Sequence, residues 1–386
     1  MRMRFAGRLA CLLAVAALAG PGAAPAGAAP AEYDIGLIAP LSGQTGFIGE
    51  GARKAIQLRV EQLNAQGGIN GHHLHLLVED DKCDPTTGVS IAQRYVNDDS
   101  MAGVLGPMCS AVSIAVRPVF ARAHMVDLTV ASTADAITKG TDWSFQIAAP
   151  DSVYATTLAS YAADHGKRIA VLNDTSAFGL GAFSTVDQVL RARKVQLVAH
   201  EQITAGQPDI SPQVLNLRNA DADFVIALVL GGDAAKLCLT ARDLGLKARF
   251  GGQTAWSFPN VLTLAKGACD GALFTDPFDP ARPETAAFLD QFQRRWGERP
   301  QSYFAAAGWD GINLWAIAAA AAGSAGSATL DQTKLLQALN AIGDYRGAIG
   351  VGSATISFAP GQHVAVQAAG THLRQIEGDH FVAAAP

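Results

Sequence analysis

Apolar residues recur along the chain in two alternating rhythms. Tyr33 to Pro40 is a short apolar strand, followed by a Gly-rich loop. Gly51 to Gln66 then carries Ala55, Ile56, Leu58, Val60 and Leu63 at helical spacing, and Gly67-Gly68 ends it. His73 to Asp80 alternates with the period of a strand. The same succession repeats as Thr86 to Asn97 (helix), Met101 to Leu105 (strand), Ser110 to His124 (helix) and Val126 to Val130 (strand). Strands alternating with helices of this length predict a parallel sheet with right-handed crossovers and helices on both faces.

After Ala149-Pro150 the pattern restarts. Helices are predicted over Val153 to His165, Gly179 to Arg193, Ile210 to Asn219 and Ala234 to Leu244. Strands are predicted over Arg168 to Asn173, Gln196 to Glu201 and Phe224 to Leu230, the last so uniformly apolar that both its faces must be covered. Two open α/β lobes in tandem leave a cleft, and ligands of such sheets bind beyond the carboxyl ends of the strands. Function is therefore expected in the loops 39–50, 106–113, 131–135, 173–181, 231–234 and 252–259.

Composition supports this picture: 386 residues, 49% hydrophobic and only 16% charged, are enough for two cores. The net charge of −5 becomes more negative once Arg2, Arg4 and Arg8 are discounted, and no basic block follows, which argues against a nucleic-acid partner. Those arginines open a leader: a basic head, the apolar run Leu9 to Ala19 and small residues through Ala26-Gly27-Ala28 read as a cleavable signal peptide over residues 1–28. Cys11 sits too early in that run for a lipid anchor. The run Trp315 to Ala322 is too short to span a membrane. The mature chain from Ala29 is thus expected to be exported and soluble. It keeps Cys83, Cys109, Cys238 and Cys269, an even count that favours pairing in an oxidising compartment. A Cys83–Cys109 bridge is predicted, closing a loop of about 25 residues worth roughly 3 kcal/mol; whether Cys238 pairs with Cys269 is left open.

Catalytic signatures are wanting. Gly46 to Lys54 lacks a Lys directly after its last glycine, Gly179-Leu180-Gly181 finds no third glycine, and neither Gly-x-Ser-x-Gly nor His-Glu-x-x-His occurs. His72, His73 and His75 have no further ligands at metal spacing and read as a solvated strand start. The loops opening at Ser110 and at Ala131-Ser132-Thr133 place hydroxyls and free N–H groups at predicted helix starts, where an anion such as a carboxylate is favoured; Ser110 and Thr133 serve equally well as plain caps.

Specificity comes from a series of short motifs in order: Ile35-Gly36-Leu37-Ile38-Ala39-Pro40-Leu41-Ser42-Gly43, Gly67-Gly68-Ile69-Asn70-Gly71, Glu79-Asp80-Asp81, Cys83-Asp84-Pro85 and Gly103-Val104-Leu105-Gly106-Pro107. Weaker matches follow through Asn173-Asp174, Ile203-Thr204-Ala205-Gly206, Asp223-Phe224-Val225 and Tyr303 to Asp310. In this order the sequence resembles the periplasmic leucine/isoleucine/valine-binding proteins, the substrate-binding family of branched-chain amino acid ABC importers. The resemblance implies the type I periplasmic binding protein fold: two doubly wound parallel-sheet lobes joined by a three-segment hinge, with residues 29–150 plus 277–360 in lobe 1 and 151–276 plus 361–386 in lobe 2. The crossovers would fall near Pro150, Asp276-Pro277 and Pro360.

The resemblance also implies a ligand site. Ser110 and the Thr133 backbone would hold a carboxylate; the Ala131 carbonyl and the Thr133 hydroxyl would face an ammonium, together with a glutamate of the second lobe. That glutamate's position reads Thr254 here. Phe47-Ile48, Phe178 and Leu230 stand at positions where the family often has tyrosine, and Phe304 and Trp256 are further lining candidates. Either Asp233 or Asp276 supplies the missing acid, or the cargo is an aromatic or other non-amino carboxylate. What is implied is a periplasmic monomer without cofactor, metal or catalysis, delivering its ligand to an ABC permease in the inner membrane. A sensory subunit reporting to a receptor is the alternative from another class.

Overall fold

The structure, a computed structural model, describes residues 32–300, 302–323, 329–365 and 370–384. The expected leader, its cleavage point and Cys11 lie outside the described residues. The first lobe runs from β1 (Glu32–Ala39), buried except at Glu32 and Asp34, through α1 (Gly46–Ala65), β2 (His73–Asp80), α2 (Pro85–Val96), β3 (Met101–Leu105), α3 (Ser110–Ala123), β4 (Asp127–Thr129) and β5 (Ser144–Gln146). The strands pair in parallel in the order β2-β1-β3-β4-β5.

The second lobe runs α4 (Asp151–His165), β6 (Ile169–Asp174), α5 (Ala177–Ala192), β7 (Ala199–Ile203), α6 (Ser211–Asn219), β8 (Phe224–Leu228), α7 (Gly231–Leu244), β9 (Arg249–Gly252), α8 (Pro259–Ala265) and β10 (Leu273–Asp276). Its parallel order, β7-β6-β8-β9-β10, repeats that of the first sheet. The chain then returns to the first lobe as α9 (Pro283–Trp296), α10 (Tyr303–Ala322) and α11 (Gln332–Asn340), with α9 and α10 against α1. It finishes with β11 (His372–Glu377) and β12 (His380–Ala383), an antiparallel hairpin added to β10.

Most predicted elements coincide with observed ones. No helix follows Thr133, where one was expected: residues 134–143 form only turns and bends, and at α3 the N-cap position belongs to Cys109 with Ser110 already inside the helix. Four further differences have physical causes. The helix expected from Gly51 starts at Gly46, so the glycines read as a loop are already helical. They are there for close approach: a Cβ on Gly49 would sit 2.1 Å from the Pro40 carbonyl oxygen. The strand expected to run to Leu230 stops at Leu228, because the chain turns there into α7. α10 extends well before the Ala-rich run noted in the sequence, but no helix among the described residues is long and apolar enough to cross a membrane. Finally, the chain past Pro360 still follows the first sheet. The Gln146 N–H donates to the His363 carbonyl (2.8 Å) and the Ala365 N–H to the Gln146 carbonyl (2.7 Å), covering the otherwise open edge of β5.

Both cysteine pairs are disulfides, Cys83–Cys109 and Cys238–Cys269. The first ties the start of α2 to the start of α3; the second ties α7 to the turn before β10. His72 is not the solvated residue expected: it is buried, with its ring stacked on Tyr33 at 4.3 Å. His75 is exposed, beside Asp34 at 2.8 Å.

Candidate functional site

In each sheet the strand order reverses beside the first strand, between β1 and β3 and between β6 and β8. Loops leaving the carboxyl ends there diverge, and a crevice opens between them. The two crevices meet in a cavity of about 130 Å³ lined by both lobes. Ser110, Ala131, Thr133, Ile48, Phe178, Leu230, Thr254 and Phe304, all expected at the site, line it.

The polar wall comes from the first lobe. Ser110 opens α3, and its Oγ accepts from the N–H groups of Thr133 (3.3 Å) and Ala134 (3.2 Å), joining the loop after β3 to the loop after β4. Beneath them the Pro107 carbonyl accepts from the hydroxyls of Ser113 and Ser132, each at 3.2 Å, and from Thr129. Gly106 makes this turn possible: φ is +97°, and a Cβ would lie 2.1 Å from the Ile38 carbonyl oxygen. The Ala131 carbonyl accepts from the Tyr303 hydroxyl at 3.0 Å.

Helix N-termini converge on this space. α3 begins at Ser110, α5 at Ala177, α7 at Gly231 beside Leu230, and α10 at Tyr303. Each brings unsatisfied N–H groups and the positive end of a helix dipole, so the cavity favours an anion although no lining residue carries a charge. The remaining wall is mostly apolar, Ile48, Met108, Phe178, Leu230, Phe258 and Phe304, with the hydroxyl residues Thr45, Ser176, Thr254 and Tyr303 among them.

Two expected lining residues lie elsewhere. Phe47 faces the neighbouring hollow beside Glu50 and Lys54, where its ring meets Phe258 edge-on at 4.6 Å and supports the cavity wall from behind. Trp256 is fully buried, its Nε1–H donating to the Ala227 carbonyl (3.1 Å), because Gly252 leaves room for the indole in the core. Neither suggested substitute acid reaches the cavity. Asp233 is held by Lys236 (3.0 Å) and the Gly206 N–H (2.8 Å); Asp276 is buried against Arg374 (3.1 Å).

Sequence reading missed Tyr303, Phe258, Met108, Thr45 and Ser176 among the lining residues. Thr45, Met108, Ser176 and Phe258 all lay in loops already marked as functional without being singled out, and Tyr303 adjoins Phe304. A buried acid, Asp151, also went unremarked. It lies behind Thr133, and burial pushes its carboxyl up to about 8, with the Thr133 hydrogen bond opposing and the nearby Asp135 and Asp174 adding to the shift.

A two-lobed α/β molecule with an apolar, helix-capped cavity between its sheets is the architecture of a ligand-capturing protein. Residues 32–374 match the periplasmic binding protein family, and the chain belongs to it. It is 27% identical over 339 residues, 86% of this chain and 88% of the other, to a leucine-, isoleucine-, valine-, threonine- and alanine-binding protein of Pseudomonas aeruginosa. Among solved structures, it superposes with a TM-score of 0.81 on a branched-chain amino acid transporter substrate-binding protein of Streptococcus pneumoniae in complex with isoleucine, at 22% identity and covering 91% of this chain and 97% of that one. A solute-binding protein of an ABC transporter from Rhodopseudomonas palustris, in complex with 3,4-dihydroxybenzoic acid, gives a TM-score of 0.79 at 20% identity, covering 91% and 96%.

Proposed function

We propose that this protein captures a small carboxylate with an apolar body between its two lobes and delivers it to an ABC permease, after export by the leader over residues 1–28. The observation that carries this reading is the cavity itself. Ser110 and the first turns of α3 and α5 offer neutral donors for a carboxylate, while Ile48, Phe178, Leu230, Phe258 and Phe304 offer packing for an aliphatic or aromatic body. The three passages of the chain between the lobes would act as the hinge for closure. The branched-chain amino acids bound by the Pseudomonas relative are of this class. The three phenylalanines of the wall keep an aromatic acid as a second reading.

Differential scanning fluorimetry of the unfolded, stripped and refolded mature protein tests this against branched-chain and aromatic amino acids and their deaminated acids. A ligand at about a hundred times its Kd stabilises by roughly 2.7 kcal/mol, a clear rise in Tm. A flat response across the whole library refutes the reading.

A further inference from the structure

Asp151 opens α4 and is 1% exposed. Its backbone N–H donates to the Thr133 carbonyl (2.6 Å), and the Thr133 side chain hydrogen-bonds its carboxyl, so the acid stands directly behind the part of the wall that Thr133 forms. Oδ2 has no partner. With the Gln253 amide turned so that its oxygen accepts from the Ala155 N–H (3.2 Å), its nitrogen reaches Oδ1 at 3.3 Å. The charged groups facing Asp151 are acids as well, Asp135 from the loop after β4 and Asp174 at the end of β6, and the buried hydroxyls of Tyr154 and Tyr303 face it too and stay neutral because burial raises them. Both are engaged locally, Asp135 by the Ser152 N–H (3.1 Å) and Asp174 by the Ser176 N–H (2.9 Å).

A fully buried carboxyl with an unmet oxygen and only acids among its charged neighbours is costly, and what the cluster lacks is a cation. Thr133 provides the link to one. Its hydroxyl, which acts on the Asp151 carboxyl as a hydrogen-bond donor, lies on the cavity wall that Thr133 and Ala131 form and can offer its lone pairs to a donor in the cavity. Asp233 and Asp276 are already paired. We propose that Asp151, acting through the Thr133 hydroxyl, is the counter-charge for the ammonium group of an α-amino acid in the cavity, the part that Thr254 cannot play. This rests on the capture reading above and narrows its ligand class. In the empty protein the carboxyl holds its proton at neutral pH, since burial places it at about 8; an arriving ammonium displaces that proton to solvent, and no covalent step is involved.

The test is titration calorimetry at pH 7 with L-leucine and L-phenylalanine against their deaminated counterparts 4-methylpentanoate and 3-phenylpropanoate, in buffers of different ionisation enthalpy. The unmodified protein is expected to bind an amino acid and release close to one proton per ligand. Asp151→Asn is expected to lose roughly 100-fold or more in amino-acid affinity, as when one member of a buried ion pair is removed, while binding a deaminated acid at least as well as the parent. Amino-acid binding without proton release, an Asp151→Asn affinity within threefold of the parent's, or tighter binding of the deaminated acids by the unmodified protein overturns the proposal. If Asp151→Asn does not fold, the proton count on the unmodified protein decides alone. Should neither class bind, the capture reading itself fails and this inference with it.

Discussion

Asp127 sits wholly buried in the first sheet, where the Ser144 hydroxyl donates to its Oδ1 at 2.6 Å. Burial pushes its carboxyl up to about 7, against an ordinary value of 3.8. As pH rises from 3.8, the unfolded chain ionises this group while the folded protein keeps it neutral until about 7. Across that window the native state binds the extra proton, so stability falls as pH rises and levels off above it. Urea midpoints of Asp127→Asn measured from pH 4.5 to 8 should therefore decline less than the parent's, and an unchanged slope would remove Asp127 as the source. Residue-scale roles were legible in the sequence where a side chain's task is local. Ser110 opens a helix, and the helix signal placed it. Trp256 and Phe47 misled because period and position cannot tell an aromatic ring in the core from one a few ångströms away at the cavity.

At the scale of elements, the strands and helices as far as α7 were readable because β8 and its neighbours are buried on both faces and their helices on one; the helices and strands beyond Leu244 were not assigned. The β11–β12 hairpin was not, since its short half-exposed strands carry little pattern of their own and exist by pairing with β10. The start of α1 was hidden for a different reason: Gly46, Gly49 and Gly51 look like loop residues until the close backbone of Leu41 at Gly46 and of Pro40 at Gly49 is known. The two disulfides occupy different places relative to the site, and this separates their effects. Replacing Cys238 and Cys269 by alanine should cost roughly 3 kcal/mol in urea unfolding and leave ligand affinity within about twofold. Replacing Cys83 and Cys109 should cost a similar amount and also weaken binding, because both cysteines line the cavity and Cys109 stands at the N-cap position of the helix that begins at Ser110. Equal loss of affinity in the two double variants would contradict this placement.

For the whole molecule, the two sheets share one strand order and direct their carboxyl ends at the same cavity. Ligand contact with both lobes at once should favour the closed arrangement. In small-angle scattering, the radius of gyration of the stripped protein should fall when saturating ligand is added, and Leu230→Asp, which places a charge in the second lobe's apolar wall, should abolish that change. A constant radius in the presence of bound ligand would leave capture without closure. Organisation at this scale was visible in the restart after Pro150, while the path beyond Pro360 was not, because only the open edge of β5 explains why residues 363–365 stay with the first sheet.

That path has a consequence for the order in which the protein is made. The first sheet is not finished until residues 363–365 cover β5, and the second is not finished until β11 and β12 close against β10. A ribosome must therefore emit nearly the whole polypeptide before the edge of the first sheet is covered and the second sheet has all its strands. Completion of both sheets is thus left to the last part of the chain to be made.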